Sequence, residues 1–314
     1  MPKLWFLGEA LIDFVPAASD NGPAFAPRCG GSPYNATKAA ALQDVSTGFL
    51  GPLSTDMFGD KLAQDLQSYG VDISGTARSD HPTTLAFVDL DGAEPRYAFY
   101  NAMTVNQLFD TASISADIQI GDVLHIGSIS LIDLPGADNI ADFVRKNADG
   151  LTISIDPNAR PGMIKDMPAW RSRLMDLLGL AKIIKLSDED LAVLAPDTQP
   201  QDFAETLITK GAQLVVFTQG SRGALAFSAA GQASAAVPKV DLVDTVGAGD
   251  TVMGTVLAEL WHQGWLTDNG IASLTSDQLA LLLQKAMAAA AINCTRSGCN
   301  PPSRSELHAF LADR

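Results

Sequence analysis

The sequence contains few cysteines and few basic residues. Its three cysteines, Cys29, Cys294 and Cys299, are an odd number without paired metal-ligand spacing, so they indicate reduced thiols in a cytoplasmic protein. Only 21 Lys and Arg oppose 36 Asp and Glu, which leaves a net charge of −15. We therefore expect no nucleic-acid partner and no membrane partner, because both require a basic face. Phosphate stays compatible with this charge, since backbone N–H groups bind it without Lys or Arg.

Long hydrophobic runs are also missing. The longest, residues 279–292, spans about 14 residues and includes Gln284 and Lys285, so it is too short to cross a bilayer and predicts a buried helix. The apolar start at residues 4–7 is interrupted by Glu9 and Asp13, which argues against a signal peptide. The sequence contains neither G-x-x-x-x-G-K-[ST] nor G-x-G-x-x-G, which argues against a P-loop enzyme and an NAD-dependent oxidoreductase.

What the sequence does contain is an alternation of short apolar runs and helical patterns. With 46% apolar residues, the chain can bury a large core. The alternation predicts an α/β fold in which parallel strands are joined by crossover helices. We predict strands at 4–7, 123–126, 152–155, 182–186 and 214–218, and helices at 135–147, 169–178, 202–210, 250–263, 276–293 and 304–312.

Two stretches interrupt this alternation. Residues 15–29 are rich in Pro and Ala, and residues 83–100 contain two short strand patterns, 85–90 and 96–100, around a turn at Asp91-Gly92. Because neither stretch contains a crossover helix, we predict a small β flap. The prediction is one α/β domain over residues 1–314, with lid segments at about 14–30 and 83–103.

Residues 244–251, DTVGAGDT, are the segment richest in chemistry. Small residues directly before a helix leave its first N–H groups open, and these groups form an anion site together with the helix dipole. Asp250 has two interpretations at this position. It caps the helix, or it accepts the proton of an attacking hydroxyl while the 247–249 amides hold the charge of a transferring phosphoryl group. The residues alone leave both open.

Residues 244–250 resemble the C-terminal signature of the PfkB, or ribokinase-like, sugar kinases, with both aspartates and both glycines matched. The N-terminal signature appears at residues 30–36, GGSPYNA, followed by a helical pattern through Leu42. The two signatures stand in the family's order, more than 200 residues apart. Further matching segments lie at 8–14, 49–59, 156–161, 185–190 and 218–223. Together they most resemble the bacterial fructokinase branch of the family.

The resemblance implies a ribokinase-like three-layer sandwich, with a mostly parallel central sheet and a small β-sheet lid. It also implies an enzyme that transfers the γ-phosphoryl group of ATP, bound with Mg²⁺, to the primary hydroxyl of a ketohexose. In that reaction Asp250 is the base, and the amides of Gly247, Ala248 and Gly249 stabilise the phosphoryl charge. The lid closes over the sugar and excludes water.

The family places its sugar under the lid, at the carboxyl ends of the strands. The corresponding residues here are Asp13, Gly30, Gly31, Asn35, Phe99, Asn158 and Arg160. Without the resemblance, Asp13 is equally a turn aspartate, and the glycine pair is a simple turn. Arg160 has three open roles: it contacts the sugar, contacts phosphate, or forms a structural ion pair with a nearby acid.

The ATP site that the family implies involves Lys185, Ser187, Thr218, Gly220, Gly223 and Asn293. Thr218 and the two glycines resemble the loop that carries the phosphates and ribose. Asn293 lies where family members line the adenine slot, although a polar residue that closes an alanine-rich helix is also a candidate C-cap. Lys185 either offsets phosphate charge or is a surface lysine with its head in water.

The metal residues depart from the family pattern. Many members carry an N-x-x-E motif that organises magnesium and phosphate through water, whereas this sequence has Ser187 and Asp190 at those positions. Glu189 or Asp188 is the candidate substitute. Separately, residues 294–299 resemble the family's C-terminal loop. The resemblance implies that this loop, together with Asp244 and Val246 of the C-terminal signature, holds a monovalent cation such as K⁺.

Several alternatives remain open at this level. Within the family, the sugar is ribose, a nucleoside or 2-keto-3-deoxygluconate instead of fructose, and Arg160 is the obvious partner for the carboxylate of the last. Outside catalysis, the alternative is a sugar or nucleotide sensor that has kept the fold. An exposed edge of the β lid also predicts a homodimer through the lid, with a covered monomer as the alternative.

Overall fold

A parallel-rich sheet lies at the centre of the computed structural model, which describes residues 1–18, 22–89, 96–267 and 269–313. Over these residues the sheet has eight strands. In spatial order they are β14 (Gln232–Ala235), β13 (Ala224–Phe227), β12 (Leu214–Thr218), β11 (Ile183–Ser187), β10 (Thr152–Asp156), β9 (Val123–Gly127), β1 (Leu4–Leu7) and β4 (Thr47–Phe49). The strands from β4 to β12 pair in parallel, and β13 and β14 add an antiparallel edge.

Helices cover both faces of this sheet. Against one face pack α1 (Ser32–Ala41), α2 (Met57–Ser68), α7 (Ala248–His262) and α8 (Ser276–Cys294), with α9 (Arg304–Ala312) on the outside of α8. Against the other face pack α3 (Gly136–Asn147), α4 (Met167–Leu178), α5 (Asp188–Leu194) and α6 (Pro200–Thr209). Strand β1 is buried on both faces of the sheet. Leu4 and Phe6 pack into one core, and the alternate residues Trp5 and Leu7 pack into the other. The predicted three-layer α/β sandwich is confirmed.

A second sheet of four strands stands apart from the first over the described residues. Its spatial order is β3 (Ala24–Gly30), β2 (Leu11–Ala17), β7 (Thr84–Asp89) and β8 (Arg96–Tyr100). Strand β2 runs antiparallel to β3 and parallel to β7, and a short pair of β5 (Leu53–Ser54) and β6 (Arg78–Ser79) lies elsewhere. We call this four-stranded sheet the lid. It starts at Leu11, earlier than predicted, because β2 extends its pairing with β3 as far as Gly30.

Most predicted elements appear within one or two residues of their predicted bounds. The strands at 4–7, 96–100 and 214–218 and the helix at 304–312 coincide with the observed ones. Helix α7 starts at Ala248 and not at the predicted Asp250, because Gly247 adopts the left-handed conformation at its N-cap, with φ of 73°. The predicted turn at Asp91-Gly92 lies outside the described residues. None of the described helices is long and apolar enough to cross a membrane.

Helices α1 and α7 approach each other closely through small residues. A Cβ atom on Gly254 would lie only 2.6 Å from the carbonyl oxygen of Ala36 and 2.6 Å from the Cβ of Ala39. Glycine at this place therefore sets the distance between the two helix axes. The close crossing brings the first turns of α1 and α7 side by side, above the carboxyl ends of the parallel strands.

We expect Gly254→Ala to lower the free energy of unfolding by about 1–3 kcal/mol, because the added methyl overpacks the crossing. The gain in helix propensity, at most about 1 kcal/mol, does not offset this loss. Urea denaturation measures the difference. Gly162→Ala is the control, since a Cβ there meets no atom within 4 Å. Equal stability of the Gly254 variant and the wild type would show that the crossing is not set by this glycine.

Candidate active site

The first turns of α1 and α7 form the centre of the candidate site. Ser32 Oγ donates to Asp250 Oδ1 at 2.7 Å, and Asn35 Nδ2 donates to Asp250 Oδ2 at 2.9 Å. Asp250 is 7% exposed, so its carboxylate is held between two side chains of the other helix. The interpretation of Asp250 as a helix cap is wrong, because Gly247 occupies the N-cap and the carboxylate bonds to α1 instead.

Electrostatics make this carboxylate a better proton acceptor than an ordinary aspartate. Burial raises the pKa of Asp250, whereas the hydrogen bonds from Ser32 and Asn35 and the charges of Lys185 and Arg160 lower it without cancelling the rise. A raised pKa means that the group binds a proton more tightly. The carboxylate is therefore both fixed in direction and suited to accept a proton from a nearby hydroxyl.

A buried cation lies beneath the turn that precedes α7. Lys185 belongs to β11, and its Nζ lies 2.8 Å from Asp156 Oδ2 and 3.1 Å from the place where a Cβ of Gly249 would be. Burial alone would lower the pKa of Lys185, but the charges of Asp156, Asp190 and Asp250 outweigh burial and raise it. Lys185 thus keeps its charge. The alternative of a surface lysine is wrong, since the side chain is almost completely buried.

Asp13 approaches the same place from the lid. It lies inside β2 opposite Arg28 of β3, not in a turn after β1. A Cβ on Gly30 would lie 2.2 Å from Asp13 Oδ2, so only glycine at this position leaves room for the carboxylate. Burial, with a smaller contribution from the charge of Asp250, raises the pKa of Asp13 to about 6. The two carboxylates are therefore close enough to influence each other across one crevice.

Arg160 and an aromatic pair complete the crevice. Arg160 is exposed, and its Nη1 donates to Asn158 Oδ1 at 2.7 Å in the loop after β10. Its charge lowers the pKa of Asp250 and opposes the rise that burial causes in the pKa of Tyr97. Tyr97 stacks on Phe99 of the same lid strand, with ring centroids 5.9 Å apart. Arg160 is therefore near enough to both Asp250 and the lid for its charge to act on each.

The residues predicted to bind the nucleotide lie at the carboxyl edge of the sheet, except Asn293, which lies on α8. Thr218 ends β12, and Gly220 and Gly223 flank a short turn with φ of 54° and 103°. Asn293 is fully buried: its Nδ2 donates to Val246 O at 2.9 Å and its Oδ1 accepts from Asn300 N–H at 2.7 Å. It is not the C-cap, which is Thr295. Asn293 therefore supports the site by fixing the two loops.

The loops that Asn293 joins are also tied by Asp244. Its Oδ1 accepts from Val246 N–H at 3.0 Å and its Oδ2 from Gly298 N–H at 2.8 Å. The predicted cation residues Asp244 and Val246 thus lie beside the C-terminal loop, as the sequence indicated. Cys299 of this loop packs against Gly247, where a Cβ would lie 2.3 Å from its Sγ. All three cysteines are free thiols.

Ser187 and Asp190 form a capping box at the start of α5. Ser187 Oγ accepts from Asp190 N–H at 3.0 Å, and Asp190 Oδ2 accepts from Ser187 N–H at 2.8 Å. Asp190 Oδ1 accepts from Ala159 N–H at 2.7 Å, and the residue is 1% exposed. The carboxylate of Asp190 thus accepts hydrogen bonds from the protein backbone, and its contact to magnesium through water stays a prediction. Its neighbour Glu189 is exposed, and among the described residues no cluster of three acids, histidines or cysteines could hold a metal.

Three residues at this site had no predicted role. Ser32 lies within the N-terminal signature, but its bond to Asp250 depends on where α7 begins. Tyr97 precedes Phe99 by two residues, so strand alternation alone puts both on one face. Glu9 follows the apolar strand β1 and is 1% exposed, and an acid at such a place is a signal that sequence analysis can use.

We expect Asp190→Asn to lower the free energy of unfolding by about 1–3 kcal/mol, because the amide leaves a buried N–H of Ser187 or Ala159 without its acceptor. Denaturant unfolding measures the change. Asp188→Asn is the matched control, since Asp188 forms a solvent-exposed ion pair with Arg222 and its loss costs about 0–1 kcal/mol. Equal effects of the two substitutions would contradict the structural role of Asp190.

Comparison with known proteins gives one consistent result. The model of the pfkB family of carbohydrate kinases matches residues 1–306. A fructokinase from Rhizobium leguminosarum bv. trifolii is 36% identical over 276 residues, which cover 87% of this chain and 84% of that protein. A fructokinase with bound ATP from Xylella fastidiosa superposes with a TM-score of 0.89 at 29% identity, over 99% of this chain and 98% of that one.

Two further solved structures of similar proteins contain bound fructose and ADP. A fructokinase from Vibrio cholerae O395, in a form with bound fructose, ADP and calcium ion, has a TM-score of 0.86 at 26% identity over 99% of both chains. A double mutant of that enzyme, with bound fructose, ADP and potassium ion, has a TM-score of 0.86 at 25% identity, over 99% of this chain and 98% of that one. The family match covers nearly the whole sequence and agrees with the fold, so this chain belongs to the pfkB family of carbohydrate kinases.

Proposed function

We propose that this carbohydrate kinase is a fructokinase, which transfers the γ-phosphoryl group of ATP to the primary hydroxyl of fructose. The observation that carries the proposal is the buried carboxylate of Asp250, oriented by Ser32 and Asn35 at the start of α7. The names of the similar proteins support the choice of sugar and nucleotide, because fructokinases with bound ATP, or with bound fructose and ADP, share this fold.

In the proposed mechanism, Asp250 accepts the proton of the attacking hydroxyl. The turn 247–249 at the helix start directs backbone N–H groups toward the transferring phosphoryl group, and the helix dipole adds to their effect. Lys185 supplies a fixed positive charge beneath that turn, which an acidic protein needs at a site for phosphate. Proton acceptance and charge stabilisation are thus adjacent, as phosphoryl transfer to a hydroxyl requires.

The sugar is proposed to bind between this helix start and the lid. Asn35 Oδ1 is buried and has no hydrogen-bond partner among the described residues, so it is free to accept a hydrogen bond from a sugar hydroxyl. Asp13 offers two further acceptor oxygens from the lid, Phe99 lies in the same row of lid residues, and Arg160 approaches from the loop after β10. Since β2 and β3 carry Asp13 and Gly30, closure of the lid would bring the sugar contacts together and exclude water.

The proposed metal contacts concern magnesium and potassium. The described residues provide no acidic cluster that fits a magnesium ion held by the protein alone. Glu189 is the solvent-exposed acid near Lys185, and we propose it as the contact to magnesium that enters with ATP. For potassium, the proposal is the loop pair of Asp244 and Val246 with residues 294–299, supported by a relative with bound potassium ion.

The homodimer and the cytoplasmic location stay predictions. The lid face opposite Asp13 carries an aromatic group: Phe87 lies 5.4 Å from Phe25 and 5.5 Å from Tyr100, ring centroid to centroid. Phe25 and Tyr100 are exposed. A second copy of the chain that covers this face would remove apolar surface from water, which is the support for a dimer through the lid.

An ADP-release assay with fructose, ribose, inosine and 2-keto-3-deoxygluconate tests the proposed function. We expect fructose to give the highest kcat/KM, and Asp250→Asn to lower kcat roughly 1000-fold with ATP affinity unchanged, because general-base assistance is lost. Asp176→Asn, which alters an exposed aspartate on α4, is the matched control.

The outcomes separate the alternatives. ADP release with 2-keto-3-deoxygluconate but not with fructose would assign Arg160 to a carboxylate and reject fructose. Binding of sugar without ADP release would favour a sensor. An Asp250→Asn variant that keeps most of the activity would rule out this residue as the base.

Two coupled acids are expected to set the pH dependence. The pKa of Asp13 is raised to about 6 and that of Asp250 is raised as well, both mainly by burial. Because the base must be ionised, kcat/KM for fructose should fall as the pH drops through the apparent pKa values of this pair. Asp13→Asn removes a negative charge that favours protonation of Asp250, so the acid limb of the remaining activity should move to lower pH. A limb that stays in place, or moves to higher pH, would contradict this coupling.

A further inference from the structure

Glu9 is a buried acid that the proposed mechanism leaves without a role. It follows β1 and is 1% exposed. Its Oε1 accepts from Ser32 N–H at 3.0 Å, and its Oε2 accepts from Ser130 N–H at 3.1 Å. Ser130 belongs to the short helical turn Ser128–Leu131 that follows β9. One carboxylate therefore ties the start of α1 to the ends of two neighbouring strands of the central sheet.

Ser32 is the residue through which Glu9 reaches the proposed base. Helix α1 begins at Ser32, and the preceding Gly31 has no side chain to cap it. The carboxylate of Glu9 takes the place of that cap, with its negative charge at the positive end of the helix dipole. Ser32 in turn donates its hydroxyl to Asp250, with 2.7 Å between Oγ and Oδ1. The amide and the hydroxyl of one residue are thus each fixed by an acid.

We propose that Glu9 is a positioning residue, which fixes Ser32 and, through Ser32, the direction of the Asp250 carboxylate during phosphoryl transfer. Glu9 acts through another side chain and is not itself a catalytic group. The proposal rests on the proposed function of Asp250 as the base. It predicts that Glu9 and Ser32 contribute to kcat as one unit.

The surroundings of Glu9 also shift its pKa. Burial raises the pKa of Glu9 to about 7, although backbone N–H groups, including those of Ser32 and Ser130, and the hydroxyl of Ser128 lower it. The ionised carboxylate offers acceptor oxygens to both amides at once. When Glu9 is protonated, one of its oxygens carries an O–H donor. That oxygen then accepts a hydrogen bond less well, so the bond from Ser32 N–H or from Ser130 N–H is weakened.

Glu9→Gln tests the proposal, because the amide keeps one acceptor oxygen and replaces the other with a donor. We expect kcat with fructose to fall roughly tenfold and the KM for ATP to change by less than about twofold. Ser32→Ala should cause a similar fall. The double variant should be no slower than the slower single variant, because both substitutions interrupt the same connection to Asp250.

Glu259→Gln is the matched control. Glu259 is also a buried glutamate, bonded to Lys285 Nζ at 2.6 Å between α7 and α8, away from the site. We expect this variant to lower the melting temperature and to keep kcat. If Glu259→Gln lowers kcat slightly, its factor and the factor of Ser32→Ala should multiply in the variant that carries both substitutions. A general loss of stability is thereby separated from loss of positioning.

Two results would overturn the proposal: wild-type kcat in Glu9→Gln, or losses of Glu9→Gln and Ser32→Ala that multiply in the double variant. An active Asp250→Asn enzyme would instead reject the proposed base. The double variant of Glu9 and Ser32 would still show whether these two residues are coupled. If Glu9→Gln does not fold, the wild-type amide protons of Ser32 and Ser130 serve as the readout. Their NMR shifts should titrate together with an apparent pKa near 7, and separate or absent titrations would reject the shared carboxylate.

Discussion

The bonds from Ser32 and Asn35 to Asp250 are the interaction on which the rest of the structure depends. They join the first turns of α1 and α7, and the bonded residues are more than 200 positions apart in the sequence. Because the side chains of Ser32 and Asn35 reach Asp250 directly, the two helices must approach each other closely, and Gly254 against Ala36 permits this. Helix α8 packs against α7, and α9 and the antiparallel edge strands pack against α8. The fold thereby turns a local polar contact into a rigid site.

Charge is arranged unevenly around the junction. The chain carries 15 more acidic than basic residues, yet Lys185 is buried beneath the turn before α7, and Arg160 faces the crevice. The buried acids that balance Lys185 are Asp156, which bonds it directly, and Asp190, which caps α5. Backbone N–H groups provide the remaining positive potential. An acidic protein can in this way present an anion site without a basic surface.

Much of the fold was predictable from the sequence, because apolar periodicity fixes strands that are buried on both faces. The signatures at 30–36 and 244–250 also identified the family. Asp250 of the second signature and Asp13 of the matching segment 8–14 stay predictions as site residues. Side-chain partners were not predictable, since they depend on contacts between distant segments. Asp190 resembles a metal ligand in sequence, but the Ser187 cap and the Ala159 amide occupy it. Lys185 lies inside the predicted strand 182–186, and one residue of strand register decides whether its side chain is buried.

A crystal structure of the protein with fructose and ADP would test the central claim most directly. The account predicts that the primary hydroxyl oxygen of fructose lies at hydrogen-bond distance, roughly 2.6–3.2 Å, from a carboxylate oxygen of Asp250. It also predicts that this carboxylate is still held by Ser32. A primary hydroxyl that points away from Asp250, or an Asp250 side chain released from α1 in the complex, would contradict the account.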